Sequence, residues 1–200
     1  MDVLVACEYS GIVRDAYLAR GHYAMSCDII PSESDKGDHW QGDIMNCLYH
    51  TGDWDLIIMH PPCTYLCVSG NRWYGKGQAH HNKRIEAVEW TALLWNLACQ
   101  KSLRVALENP VGVLSSKWRK PNQYVQPWQF GHPEFKKTGL WLQNLPELDS
   151  RNSLTPPTPD TKEYIEWMRV WRMSPGPERA KERSRFFEGI ADAMAEQWSW

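Results

Sequence analysis

Two short segments of this 200-residue chain carry residues suited to chemistry. Pro61-Pro62-Cys63 follows the most apolar run in the sequence, Asp55-Leu-Ile-Ile-Met-His60. Two successive prolines restrict the backbone where such a run ends, so the next side chain leaves in a fixed direction. A thiol held there is a candidate nucleophile, provided nearby positive charge or helix amides favour the thiolate. A buried structural cysteine after a turn would show the same spacing. Glu108-Asn109-Pro110 closes a second apolar run, Arg104-Val-Ala-Leu-Glu108. A carboxyl group in a partly dry place can keep or share a proton and so hydrogen-bond a ring nitrogen, although a capping or salt-bridged glutamate would look alike. Neither motif decides anything alone. Together, at the ends of neighbouring runs, they point to covalent chemistry on a ring.

A metal centre is the competing use of these residues. Cys63 and Cys67 can be drawn around zinc with His60, His80 and His81, but the spacing matches no ligand pattern, so no metal is expected. The six cysteines, at 7, 27, 47, 63, 67 and 99, also lack the paired spacing of a disulfide framework. Free thiols in a reducing compartment are expected, most of them behaving as small buried hydrophobes.

The elements that must position these residues follow from the apolar pattern. Asp2–Cys7, Tyr23–Ile30, Trp40–Ile44, Asp55–His60 and Arg104–Glu108 read as short strands, and 12–20 and 80–101 have helical spacing. Strands that are continuous apolar runs, alternating with helices, indicate an α/β fold with a doubly wound, mostly parallel sheet. In such sheets ligands bind outside the carboxyl ends of the strands. Those ends carry the unusual residues: Cys7-Glu8-Tyr9, Asp28, Asp43, Pro61-Pro62-Cys63 and Glu108-Asn109-Pro110. After Pro110 the texture becomes richer in proline, tryptophan and basic residues; Gln126–Leu142 suggests a hairpin, and helical spacing returns at 160–171 and 189–198.

Composition sets the outer limits. With 42% hydrophobic and 23% charged residues the chain reads as globular, and its length suits one domain. No stretch approaches the ~20 apolar residues of a membrane span, and no basic leader precedes the first strand, so a cytoplasmic protein with no membrane association is expected. A net charge of −2 rules out a general polycation. The charges are unevenly placed, however: residues 1–116 hold nine Lys/Arg against thirteen Asp/Glu, and residues 117–185 hold thirteen against eight. That suits a polyanion on one face, and equally an ordinary solvated surface. Of the twelve tryptophans, Trp118, Trp128, Trp167 and Trp171 lie in the basic segment, where they could stack on bases.

At this point the chain resembles the DNA cytosine-C5 methyltransferase family. In that family a Pro-Cys motif supplies the nucleophile and a Glu-Asn motif on a following strand binds the cytosine edge, which here implies Cys63 and Glu108, with Asn109 and Pro110 beside the substrate. The resemblance implies a Rossmann-like sheet of the class I S-adenosylmethionine-dependent type and S-adenosyl-L-methionine as cofactor. Its site would be formed by Ala6-Cys7-Glu8-Tyr9-Ser10-Gly11, by Asp28 and Ile29 after the second strand, by Gly42-Asp43-Ile44 at the adenine, and by Pro61 and Pro62. Gly131-His-Pro-Glu-Phe-Lys-Lys-Thr138 resembles the family's arginine strand, with Lys136 and Thr138 at the arginine positions; Gly189-Ile-Ala-Asp-Ala193 resembles the last motif, and Arg183 and Arg185 before it suggest phosphate or base contacts. The first loop departs most, with Glu8 where the family has glycine. The family's large target-recognition domain has little room: residues 1–145 and a final helix at 188–199 would form the core, leaving 146–187 as a reduced recognition or linker region.

DNA is the expected partner, with single-stranded DNA, RNA or a free pyrimidine nucleotide as alternatives, because reading duplex sequence needs elements that reach base edges. An adenine-N6 enzyme would place Asp or Asn before Pro-Pro and an aromatic residue after it; His60-Pro61-Pro62-Cys63 has neither. A non-catalytic nucleic-acid or cofactor-binding accessory protein would need neither Cys63 nor Glu108.

Overall fold

The computed structural model describes residues 1–174 and 176–200. In chain order the elements are β1 (Asp2–Ala6), α1 (Ile12–Leu18), β2 (Tyr23–Asp28), β3 (Asp38–Gln41), α2 (Ile44–His50), β4 (Leu56–Met59), α3 (Asn71–Tyr74), α4 (His81–Lys101), β5 (Val105–Pro110), α5 (Leu114–Lys117), β6 (Gln123–Val125), β7 (Thr138–Gln143), α6 (Lys162–Trp167), α7 (Arg169–Arg172), α8 (Pro177–Ser184) and α9 (Glu188–Gln197).

The strands form one sheet in the order β3-β2-β1-β4-β5-β7-β6. β1 to β5 are parallel, and β7 runs antiparallel to both β5 and β6. This is a doubly wound, mostly parallel, Rossmann-like sheet. Because both faces are covered, successive residues of one strand enter different cores. Val3, Val5, Leu56 and Ile58 pack with Val13 and Tyr17 of α1 and Ile190 and Met194 of α9. Leu4, Ala6, Ile57 and Met59 pack on the other side with Cys47 and Leu48 of α2 and Leu94, Trp95 and Ala98 of α4. The strand order reverses between β1 and β4, which opens a crevice at their carboxyl ends.

Three local expectations need correction. The run Trp40–Ile44 is not one strand: β3 ends at Gln41, and Asp43 is the N-cap of α2, accepting from the Met45 and Asn46 amides. A capping aspartate followed by Ile-Met is a helix start, and that signal prevails over the apolar texture. The hairpin after Pro110 exists, but its strands are β6 and β7, joined through a helical turn at Pro127–Phe130. Within 146–187, α8 is an ordered helix whose polar composition concealed it. Among the described residues no helix is long and apolar enough to cross a membrane.

Candidate active site

The crevice holds a cavity of about 600 Å³. One side is built from β1 and β2. Cys7 leaves β1 with φ +59°, a left-handed conformation rare for a residue with a Cβ. The next residue, Glu8, is only 4% exposed and turns its carboxylate onto the start of α1, accepting from Val13 N at 2.7 Å and Arg14 N at 3.2 Å. Gly11 precedes that helix at φ +74°, where a Cβ would meet the Arg14 guanidinium and Ser34. Burial raises the Glu8 carboxyl above its ordinary value, and His60 together with the helix amides only partly offsets this. Burial, with the Asp28 and Asp43 charges, likewise pushes the Cys7 thiol up. Asp28 lines the cavity and accepts from Ile30 N at 3.2 Å, and Ile29 beside it is 73% exposed.

The opposite side is built from β4 and β5. His60 N still donates to Ala6 O at 2.9 Å, after which Pro61 and Pro62 have no N–H to continue the ladder. Asn109 Nδ2 donates to Pro61 O at 2.7 Å, tying the two strand ends together. The chain then turns: Leu66 N and Cys67 N both donate to Cys63 O at 3.0 Å, placing Cys67 one turn after Cys63. The buried Arg84 of α4 secures the turn by donating to Tyr65 O at 2.7 Å, Asn71 Oδ1 at 2.7 Å and Cys67 O at 3.2 Å. Gly112 lies so close beneath it that a Cβ would collide with Leu66 O.

Glu108 is 7% exposed and pairs with His60, Oε2 to Nδ1 at 3.1 Å. Burial pushes its carboxyl up, but the His60 hydrogen bond, the charges of Lys136 and His60, and the Thr138 hydroxyl outweigh burial and hold it below the ordinary value. Of the two expected behaviours, a carboxyl that keeps a proton or one that shares it, the pairing with His60 fits the second. Positive charge is also distributed differently from the expected pattern. Arg183 of α8 reaches Ser69 Oγ at 3.1 Å and Cys67 Sγ at 3.7 Å, and Ser69 Oγ is 2.9 Å from the same sulfur. The neighbouring Cys63 side chain, Ser69 and the Arg183 charge lower the Cys67 thiol, against burial, which raises it. Cys63 is raised by the neighbouring Cys67 side chain and by burial, with Lys136 acting in the opposite sense.

Of the residues singled out from sequence, Cys7, Glu8, Tyr9, Ser10, Asp28, Ile29, Pro61, Pro62, Cys63, Glu108, Pro110, Lys136 and Arg183 line this one cavity. The others do not. Ala6 is sealed inside β1, and Ile44 is buried in the first turn of α2. Asp43 is occupied as a cap, although Gly42 N reaches Asp28 O at 2.8 Å. Asn109 holds the Pro61 carbonyl, and Thr138 Oγ1 donates to Lys136 O at 3.0 Å. Arg185 faces away and meets Glu33 at 3.4 Å, while Lys136 Nζ donates to Arg183 O at 2.8 Å and Arg185 O at 3.2 Å, securing the roof. Tyr9 Oη lies 2.8 Å from Ser184 Oγ, and Lys181 meets Glu33 at 2.8 Å, so α8 is also tied to the β1 side. Trp118 packs against Trp95 and Trp141, and Trp167 is buried against Phe135, so neither is free to stack on a base.

Sequence reasoning passed over His60, Cys67, Arg179 and Trp73 as cavity residues. By spacing, His60 and Cys67 suggest only a zinc ligand set, and among the described residues no group of three His, Cys, Asp or Glu is placed to hold a metal ion. His60 could have been found from its place between a buried strand and two prolines. Nothing in the local sequence marks Cys67.

No family model and no curated protein matches the chain. Solved structures similar to it include a prophage-encoded protein of E. coli assigned as a DNA modification methyltransferase, at 14% identity and a TM-score of 0.49, covering 71% of this chain and 46% of that one. The bifunctional kinase-methyltransferase WbdD is also similar, at 11% identity and a TM-score of 0.42, covering 75% of this chain and 38% of that one. The chain thus spans less than half the length of either.

Proposed function

We propose that the chain transfers a methyl group from S-adenosyl-L-methionine to C5 of cytosine, in DNA, through a covalent bond from Cys63. The observation that carries this reading is the single cavity in which Cys63 and the His60–Glu108 pair face Cys7–Ser10 and Asp28. The β1 and β2 side fits the cofactor: Asp28 offers a carboxylate for ribose hydroxyls, and the exposed Ile29 offers an apolar surface for a purine. Bound there, S-adenosyl-L-methionine would supply an electrophilic methyl group.

The chain's own residues do the rest. Cytosine C5 is too weak a nucleophile to be methylated directly. Cys63 gives up its thiol proton to water and adds at C6 as the thiolate, and the electron pair of the C5–C6 double bond becomes available at C5. His60 and Glu108 supply the proton that N3 takes up, and the Glu108 carboxylate accepts a hydrogen bond from the exocyclic amino group. After C5 is methylated its proton passes to water, the electron pair of that C–H bond re-forms the C5–C6 double bond and expels Cys63 as a thiolate, and N3 returns its proton to the His60–Glu108 pair. A base within duplex DNA must first leave the stack, at a cost of a few kcal/mol.

The test is methyl-labelled S-adenosyl-L-methionine with duplex DNA, single-stranded DNA, transfer RNA and free dCMP, each product digested to nucleosides and analysed by mass. Label in 5-methylcytosine from duplex DNA is expected. Cys63→Ala should lower that transfer by about 10⁴-fold or more, since it removes the nucleophile itself. Label only from RNA or dCMP would move the substrate; transfer that survives Cys63→Ala would overturn the covalent route. Cofactor binding without transfer to any substrate would favour an accessory protein.

A further inference from the structure

We propose that Arg179 and Arg183, one turn apart on α8, seat a phosphate group of the substrate beside the target base. This deepens the function proposed above and rests on it in taking a nucleotide as the substrate.

The charges of α8 divide by face. Residues four apart on a helix are neighbours, and a residue midway between them points elsewhere. Lys181 accordingly meets Glu33 at 2.8 Å on the β1 side, and Arg185, just past the helix, meets the same carboxylate at 3.4 Å. Arg179 and Arg183 line the cavity instead, and among the described residues no ion pair includes either of them. Arg179 Nη2 donates to Trp171 O at 2.9 Å, and Arg183 Nη2 to Ser69 Oγ at 3.1 Å, so both side chains are held in place. Among the described residues the buried Arg179 Nε has no hydrogen-bond partner, and a ligand oxygen can supply the acceptor it lacks.

The carboxylates lining the cavity are engaged elsewhere: Glu8 with the α1 amides, Asp28 with Ile30 N, and Glu108 with His60. Two guanidinium groups at this spacing repel, and an anion between them removes the repulsion. Phosphate is the natural occupant, because its oxygens match the planar fork of a guanidinium. The competing anion is the carboxylate of the cofactor. Position decides between them: Ser69 belongs to the turn that follows Cys63, so an anion held by Arg183 lies on the β4–β5 side, with the ring that Cys63 attacks. A strand and a free nucleotide would present the same phosphate oxygens there.

The experiment measures equilibrium binding by calorimetry. Its probes are deoxycytidine, dCMP and a short single-stranded oligonucleotide with one cytosine, the last also carrying a neutral methylphosphonate on either side of that cytosine. In wild type the charged phosphate should tighten binding by about tenfold or more over the matching uncharged probe. A gain from dCMP alone identifies a free nucleotide as the source, and a gain from the oligonucleotide identifies a strand. In Arg179→Gln and in Arg183→Gln that gain should shrink by about fivefold or more, with melting unchanged and S-adenosylhomocysteine bound as in wild type. The lysine variants, which keep the charge, should retain part of the gain. Arg172→Gln removes the same charge from an exposed position outside the cavity and should leave it intact. No gain in wild type, or a gain unchanged in the folded glutamine variants, would overturn the proposal. So would an equal loss in Arg172→Gln, or a loss of S-adenosylhomocysteine binding in place of the phosphate gain. Phosphate-dependent binding by a protein that transfers no methyl group would leave the seat standing and defeat the proposed function instead.

Discussion

Glu8 and Glu108 are the same residue type, equally buried, at the ends of strands on opposite sides of one cavity, and their carboxyls are shifted in opposite directions. Glu8 is committed to the backbone: its oxygens take the first free amides of α1 and carry the strand into the helix. Glu108 is committed to side chains, paired with His60 and acted on by Lys136. Burial alone therefore says little about role. A buried carboxylate bound to helix amides is part of the scaffold, whereas one balanced against a histidine can exchange a proton. The two halves of the cleft differ in the same way. The β1–β2 side is shaped by backbone, and the β4–β5 side by ionisable side chains.

Substitutions that keep shape and remove charge should separate the halves most strongly. Glu108→Gln is expected to lower methyl transfer by about 10²–10³-fold, in the range for losing one key polar partner of a transition state, while melting shows a folded protein. Glu8→Gln should lower it far less, because the amide oxygen still caps α1. Equal losses in the two variants would erase the distinction. Next in size is Gly112→Ala: pushing the Cys63–Cys67 turn away should destabilise the protein by roughly 2 kcal/mol, measured by urea unfolding, and lower transfer without changing cofactor affinity. Glu8→Ala removes the cap altogether and should cost about 1–2 kcal/mol in the same measurement.

The smallest effect lies in the pH dependence. The raised Glu8 carboxyl means that the folded state holds its proton more tightly than the unfolded chain. That contribution is present below about pH 4.3, the ordinary glutamate value, and is lost as pH rises through the raised folded value. Glu108 behaves in the opposite sense: its contribution is present above about 4.3 and is lost as pH falls through its lowered folded value. Urea midpoints from about pH 3 to 8 should show wild type gaining on Glu108→Gln as pH rises and losing ground to Glu8→Gln. Parallel curves would show that surroundings do not distinguish these two carboxylates.

The sequence by itself determined four of the five parallel strands, the sheet class and the two motifs. Strands buried on both faces must be apolar without interruption, and prolines must stop them, so Leu56–Met59 with Pro61-Pro62-Cys63 and Val105–Leu107 with Glu108-Asn109-Pro110 were legible as written. The long α4 and the final α9 were legible as well, from helical spacing alone. Only the tertiary structure decided how the site is charged. The polar helix α8 has no apolar stripe to declare which side faces inward, and its contacts with Glu33, Tyr9 and Lys136 bring Arg183 to Cys67, 116 residues earlier in the chain. His60 meets Glu108 across 48 residues because β4 and β5 are neighbours in the sheet. Apolar burial is a property of each strand and can be read locally. The partner of a buried charge is chosen by what packs beside it, and that is settled only when the chain has folded.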